Sequence, residues 1–158
     1  MALRPIIPPP VYDLAFAIAM IVTARAAPSA TFSYPGQRVV GLALAALGLG
    51  VAILAGVQMA RARTTVNPLN PERTSSLVSS GVFGISRNPI YLGMLIILCG
   101  VAAWLANLVS ALFLPLFVLV ITVVQIKPEE RALAALFGDD FAAYSARVNR
   151  WFGRRGAP

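Results

Sequence analysis

The chain has 158 residues, 58% of them hydrophobic and 12% charged, with a mean hydropathy of +0.78; a soluble domain carries about twice that charged fraction, so the composition describes an integral membrane protein. The net charge of +7 comes from basic residues at the ends of apolar runs, not from a surface interleaved with aromatics, which argues against a nucleic-acid partner. A single cysteine, Cys99, and no histidine exclude an internal disulfide, a conventional His/Cys metal site and a histidine-dependent triad.

Met1 to Pro10 holds one arginine and a proline cluster, with no small-residue cleavage pattern after the first apolar run, so no cleaved signal peptide is expected. Residues 11–27 form the first predicted span, ~25 Å long as a helix against a hydrocarbon core of ~30 Å. Pro28 to Gly36 reads as a turn-rich connector. The second span covers 37–60, and its small residues Ala45, Gly48, Ala52 and Ala55 recur at spacings of three and four, a pattern that lets helix backbones approach closely in lipid. Residues 61–88 form the longest polar stretch, expected to be an ordered loop anchored by Val82, Phe83 and Ile85. Spans three and four, 89–106 and 108–126, make an uncharged hairpin with Asn107 at the connection, and Pro115 is expected to kink the fourth. Residues 128–152 read as amphipathic helices: Pro128, Glu129 and Glu130 suit a helix start, Gly138 closes the first, and Phe141, Tyr144, Val148 and Trp151 share a face of the second. The fold class is therefore all-α, with four transmembrane helices and C-terminal cytoplasmic amphipathic helices. Of thirteen Lys and Arg only Arg25 and Arg38 lie between spans one and two, and none lies in the 3–4 hairpin. The positive-inside rule then puts both termini and the 61–88 loop in the cytoplasm. The preference for Arg over Lys and the abundance of Ala point to a bacterial inner membrane.

The candidate site is the mouth of the third span. Ser86 to Gly93 places Arg87, Asn88 and Tyr91 around Pro89, whose missing N–H suits a first helical turn, and the orphan N–H groups there with Arg87 suit an anion. Thr122, Gln125 and Glu129 recur at three and four residues as a polar stripe leading to the same membrane face, and polar residues inside a span carry a functional expectation. A structural reading, in which Thr122 and Gln125 join helices and the two glutamates complete a helix dipole, stands beside it.

The ordered series Arg87-Asn88-Pro89-Ile90-Tyr91-Leu92-Gly93, a hairpin of about thirty-five residues, Glu129-Glu130, Phe137-Gly138, Phe141, Tyr144 and Arg147-Val148 resembles the isoprenylcysteine carboxyl methyltransferase and phospholipid methyltransferase superfamily of integral membrane enzymes. Arg63 to Pro68 and Leu77 to Phe83 resemble the segment that precedes the motif in bacterial members. The resemblance implies S-adenosylmethionine as cofactor, held by Asn88, Pro89, Tyr91, Leu92, Gly93, Gln125, Glu129 and Glu130. It implies a lipophilic methyl acceptor entering from the bilayer, with a carboxylate, an amine or a thiol as the methylated group. Arg87 and Arg147 would act on the acceptor, since paired guanidinium hydrogen bonds suit a carboxylate. Many members have His where this chain has Asn88, and an amide can hydrogen-bond but cannot transfer a proton at neutral pH. Two other readings are an NADPH-dependent reductase of the sterol-reductase type, which shares an Arg-x-Pro-x-Tyr-type motif but has many more spans, and a non-catalytic small membrane protein.

Overall fold

The computed structural model describes residues 7–62 and 76–155, and the expected Arg63 to Pro68 motif lies outside them. Among the described residues six α-helices run in the order α1 Pro9–Ala26, α2 Gln37–Arg61, α3 Pro89–Leu105, α4 Leu108–Ala111, α5 Phe113–Ile121 and α6 Lys127–Arg147. Helix α1 begins on two prolines, where the first-turn N–H groups have no intrahelical partner to lose. Helix α2 follows Gly36, which sits in the left-handed region at φ 79°. Three helical stretches are long and apolar enough to cross a membrane: Pro9–Ala26, Gln37–Arg61 and the apolar part of Leu108–Arg147. Helix α3 is as apolar but has 17 residues, about 25 Å. Large apolar side chains such as Leu14, Ile18, Val39, Leu42, Leu49, Leu116 and Leu119 are exposed, the reverse of a water-soluble surface and the expected pattern against lipid.

The tightest packing joins α2 to α3. A Cβ added at Gly93 would stand 2.5 Å from the Gly48 carbonyl oxygen, and one at Gly100 would stand 2.6 Å from that of Gly41. The small-residue stripe of the second span is therefore a seam, with Ala45 and Ala52 meeting the same two glycines. Helix α1 closes the bundle from the other side, where Met20 and Phe16 pack with Tyr91, Met94, Leu98, Phe117 and Ile121. At the far end Asn107 is spent entirely on structure. Its Nδ2 donates to the Ala27 carbonyl and to Thr31 Oγ1, both at 2.8 Å, and its Oδ1 accepts from the Ser110 N–H at 2.9 Å, capping α4.

The fourth span differs in detail from its expected form. Pro115 falls in the first turn of α5, and the hydrogen-bond ladder is interrupted at Leu112, whose backbone stays helical, just after Ala111, whose carbonyl a proline at 115 cannot bond. Between α5 and α6, Thr122–Ile126 forms a π-turn in which the Lys127 N–H reaches back to the Thr122 carbonyl. Pro128 explains the widening, because in a regular helix its ring would crowd the Val124 carbonyl. Gly138, at φ 46° and ψ −117°, interrupts α6 where the sequence suggested two helices. The second of these ends at Arg147, short of the expected 152. Residues 148–155 instead form a tight return, with Val148 bridged to Arg154, the Asn149 N–H donating to the Gly153 carbonyl at 2.9 Å, and Gly153 at φ 94°. Phe141, Tyr144 and Val148 do cluster, whereas Trp151 leaves that face and packs on the main core.

Candidate functional site

Two acidic side chains at the start of α6 meet the loop before α3, and they do so differently. Glu129 is 6% exposed, and its Oε1 accepts from the Tyr91 hydroxyl at 2.6 Å. No basic side chain among the described residues pairs with it. A buried carboxylate with one hydroxyl donor and no counter-cation is costly to ionise, and burial pushes Glu129 up to about 7, so a cationic or donor-rich ligand would be what draws it into its charged form. Glu130, the next residue, points to the other side and is saturated. Its Oε1 accepts from Arg87 Nη2 at 2.7 Å, and Arg150 grips both its oxygens through Nε and Nη2, the shortest contact being 2.6 Å.

Arg87 is itself only 10% exposed at its side chain, lies 5.9 Å from the Phe141 ring centroid, and leaves its Nε buried without an acceptor. Burial lowers its guanidinium pKa and the Glu130 charge opposes that shift, while hydrogen bonding to Glu130 raises that of Arg150; both remain cations at any accessible pH. Asn88 precedes Pro89 with its backbone outside the helical region, and its amide makes no cap. Its Nδ2 donates to the Arg150 carbonyl at 3.0 Å, and its own N–H is taken by Ser86 Oγ. The position is thus a tie to the C-terminal return. Pro89 opens α3 and is buried, Leu92 donates its N–H to the Asn88 carbonyl, and Gly93 stands on the face packed against α2.

The stripe from Thr122 to Glu129 divides among three partners across the π-turn. Thr122 Oγ1 accepts from the Trp151 indole at 3.2 Å, Gln125 Nε2 donates to the Ile7 carbonyl at 3.0 Å, and Glu129 takes Tyr91. Gln125 is fully buried, and its Oε1 has no donor. Arg147 is elsewhere. Its side chain is exposed and lines a separate cleft of about 340 Å³ with Leu77, Ser79, Phe137, Asp140 and Tyr144, and the Tyr144 hydroxyl donates to the Phe83 carbonyl at 2.7 Å.

The residues that sequence reasoning missed are Arg150, Ser86 and Trp151. Arg150 is one of four arginines in the tail, with Arg147, Arg154 and Arg155, and nothing in its spacing marks it as the partner of an acid twenty residues earlier. Among the described residues the buried polar atoms left without a partner are Asp13 Oδ1, Gln125 Oε1 and the Arg87 Nε; the last two, with the buried Glu129 that accepts only from Tyr91, fit S-adenosylmethionine in kind, Glu129 and Gln125 asking for donors or a cation and the Arg87 Nε for an acceptor. That cofactor carries an ammonium, a sulfonium, hydroxyls and a carboxylate.

A family model described as phospholipid methyltransferase matches residues 37–140. A protein-S-isoprenylcysteine O-methyltransferase B of Arabidopsis thaliana is 28% identical over 139 residues, 84% of this chain and 71% of the relative. An uncharacterized protein of Haemophilus influenzae is 40% identical over 62 residues, 39% of this chain and 98% of that protein. No solved structure matches.

Proposed function

We propose that this chain, which belongs to the phospholipid methyltransferase family, is an S-adenosylmethionine-dependent methyltransferase of a lipophilic acceptor. The observation that carries the reading is the buried Glu129, oriented by Tyr91 and without a cation of its own. When bound, the cofactor supplies a methyl group on a sulfonium, a leaving group that needs no proton. The work of the chain is then alignment and exclusion of water. In this reading Tyr91 fixes the Glu129 carboxylate, Glu129 and Gln125 receive the donors of the cofactor, and Asn88, Pro89, Leu92 and Gly93 build the helix start that sets the Tyr91 position. Glu130 is reassigned from cofactor ligand to the centre of the Arg87–Glu130–Arg150 cluster. Arg87, held through one Nη, keeps its Nε for an anionic oxygen of the acceptor, which favours a carboxylate; the name of the Arabidopsis relative, an O-methyltransferase, points the same way. Arg147 lies on the separate cleft and has no part in the reading. The chain crosses the bilayer four times, with α3 as the short span, and both ends and the α3 mouth face the cytoplasm, where the cofactor is made.

The test is transfer of labelled methyl from S-adenosylmethionine to lipid extracts by the purified protein, with calorimetry of S-adenosylhomocysteine in detergent. Binding with labelled lipid product supports the reading. Absence of S-adenosylhomocysteine binding in folded protein, or binding of NADPH in its place, overturns it.

A further inference from the structure

Residues 148–155 are tied down on every side but one. The Arg87 N–H donates to the Asn149 carbonyl at 3.1 Å, the Gly153 N–H to the Ile85 carbonyl at 2.8 Å, and Arg154 Nε to the Gly84 carbonyl at 3.0 Å. Asn88 donates to the Arg150 carbonyl and Trp151 to Thr122. At the tip of this return, Phe152 is 69% exposed, and Ile85 on the adjoining strand of loop is 45% exposed. Two apolar side chains on neighbouring segments, tied at the backbone and uncovered by any other described residue, would be unfavourable in water.

The Trp151 bond sets the depth of that tip. Thr122 lies about one turn before the fourth span ends at Ile126, close to the edge of the hydrocarbon, and the next residue, Val123, is 49% exposed among residues that face lipid. A turn whose tryptophan reaches Thr122 stands level with the edge of the hydrocarbon, not with the cytosolic face of α6. Arg154 and Arg155 adjoin the tip, each exposed and each bonded among the described residues through its Nε, which leaves their Nη groups to meet phosphates. An aromatic tip with basic flanks at the end of a span is the arrangement that settles into a leaflet surface.

We propose that the 148–155 return is a membrane-seated clasp: Phe152 and Ile85 dip into the acyl layer of the leaflet beside Thr122, Arg154 and Arg155 bind lipid phosphates, and the bilayer thereby holds Arg150 on Glu130, the carboxylate it shares with Arg87. The partner is the lipid surface the chain already crosses, and the proposal does not rest on methyl transfer. It makes Arg150 a positioning residue whose placement depends on lipid.

Depth is measured directly by nitroxide labels at Phe152→Cys, Val123→Cys and Asp140→Cys in a Cys99→Ala background, reconstituted in phosphatidylcholine/phosphatidylglycerol vesicles. The label at 152 is expected to match that at 123, relaxed by oxygen more than by a water-soluble nickel chelate, with the label at exposed Asp140 showing the reverse. A label at 152 that behaves like the one at 140 overturns the proposal. In the same vesicles Phe152→Asp should speed amide exchange at Arg87 and Gly153 by about tenfold or more while the α2 and α3 amides stay protected. Unchanged exchange at those two amides shows that the bilayer does not hold the clasp.

Discussion

Glu129 and Glu130 are adjacent carboxylates of equal size, and replacing each by glutamine should separate a ligand site from a structural one. In Glu130→Gln, one oxygen and an NH₂ replace two oxygens that now accept four N–H contacts at 2.6–3.1 Å from two arginines. Breaking a buried pair costs ~3–5 kcal/mol, chiefly from the charge left unpaired. Arg150 is 36% exposed and recovers most of its share from water, whereas Arg87 at 10% does not. The expected loss is therefore about 2–4 kcal/mol, or roughly 5–15 °C in Tm for a chain of this length. In Glu129→Gln, no protein cation is orphaned and the Tyr91 hydroxyl still finds an oxygen, so Tm should hold or rise. What is lost is a charge-assisted bond to the ligand, about 1.5–3 kcal/mol, which weakens S-adenosylhomocysteine binding at least tenfold. Thermal unfolding and calorimetry in one detergent read both effects. A Glu129→Gln protein that melts as early as Glu130→Gln, with its ligand affinity intact, would refute the division of roles.

Arg87→Lys keeps a charge but loses the fork that reaches Glu130 and leaves Nε available, so turnover on the identified acceptor should fall tenfold or more, about 1.4 kcal/mol in the barrier, with insertion unaffected; parent-rate turnover would reduce Arg87 to a topology signal. Gly93→Ala would put a Cβ 2.5 Å from the Gly48 carbonyl oxygen and 2.9 Å from the Ala52 N, both backbone, so α3 must move away from α2 and the protein should lose thermal stability in detergent. Leu92→Ala, one residue along, serves as the comparison for ordinary side-chain loss. Asn107→Ala removes a cap and two donors at a buried position, an expected cost of about 2–4 kcal/mol by unfolding in denaturant, read without any change in ligand affinity. Reporter fusions after Asn107 should read external and those at Pro158 internal, and the reverse pattern would remove the cytosolic-cofactor argument.

The sequence shows most plainly what depends on local chemistry. Pro9 and Pro89 start their helices, the first span is displaced by one or two residues at either end, and Asn107 sits at the hairpin as its polarity demands. The Gly48 seam was legible because small residues at spacings of three and four let helix backbones approach closely in lipid, although an alanine-rich helix gives the same pattern. Tyr91 and Glu129 could be brought to one membrane face by counting spans, though not to 2.6 Å. What stayed hidden depends on pairing across distance. The four tail arginines are equivalent as charges, and only the return at Asn149–Gly153 selects Arg150 for Glu130. Helical periodicity carried the reading of α6 past Arg147 because Val148 and Trp151 fit the apolar face, while the turn competing for them is stabilised by carbonyls of the Gly84–Arg87 loop. The π-turn has a local cause in Pro128, but whether a proline kinks, breaks or widens a helix is decided by its neighbours.

One turn of helix, Thr122–Ile126, is fastened to both extremities of the described chain: Gln125 holds the Ile7 carbonyl and Thr122 holds Trp151. The order of synthesis then matters. Helices α2 and α3 are complete, and their glycine seam can close, while the ribosome is still translating, but Glu130 has no second arginine until residue 150 has emerged. A nascent chain stopped anywhere before that point inserts its spans with Arg87 half-paired and Trp151 absent from its seat. The Arg87–Glu130–Arg150 cluster therefore closes only after its third member has been made, well behind the helices it joins.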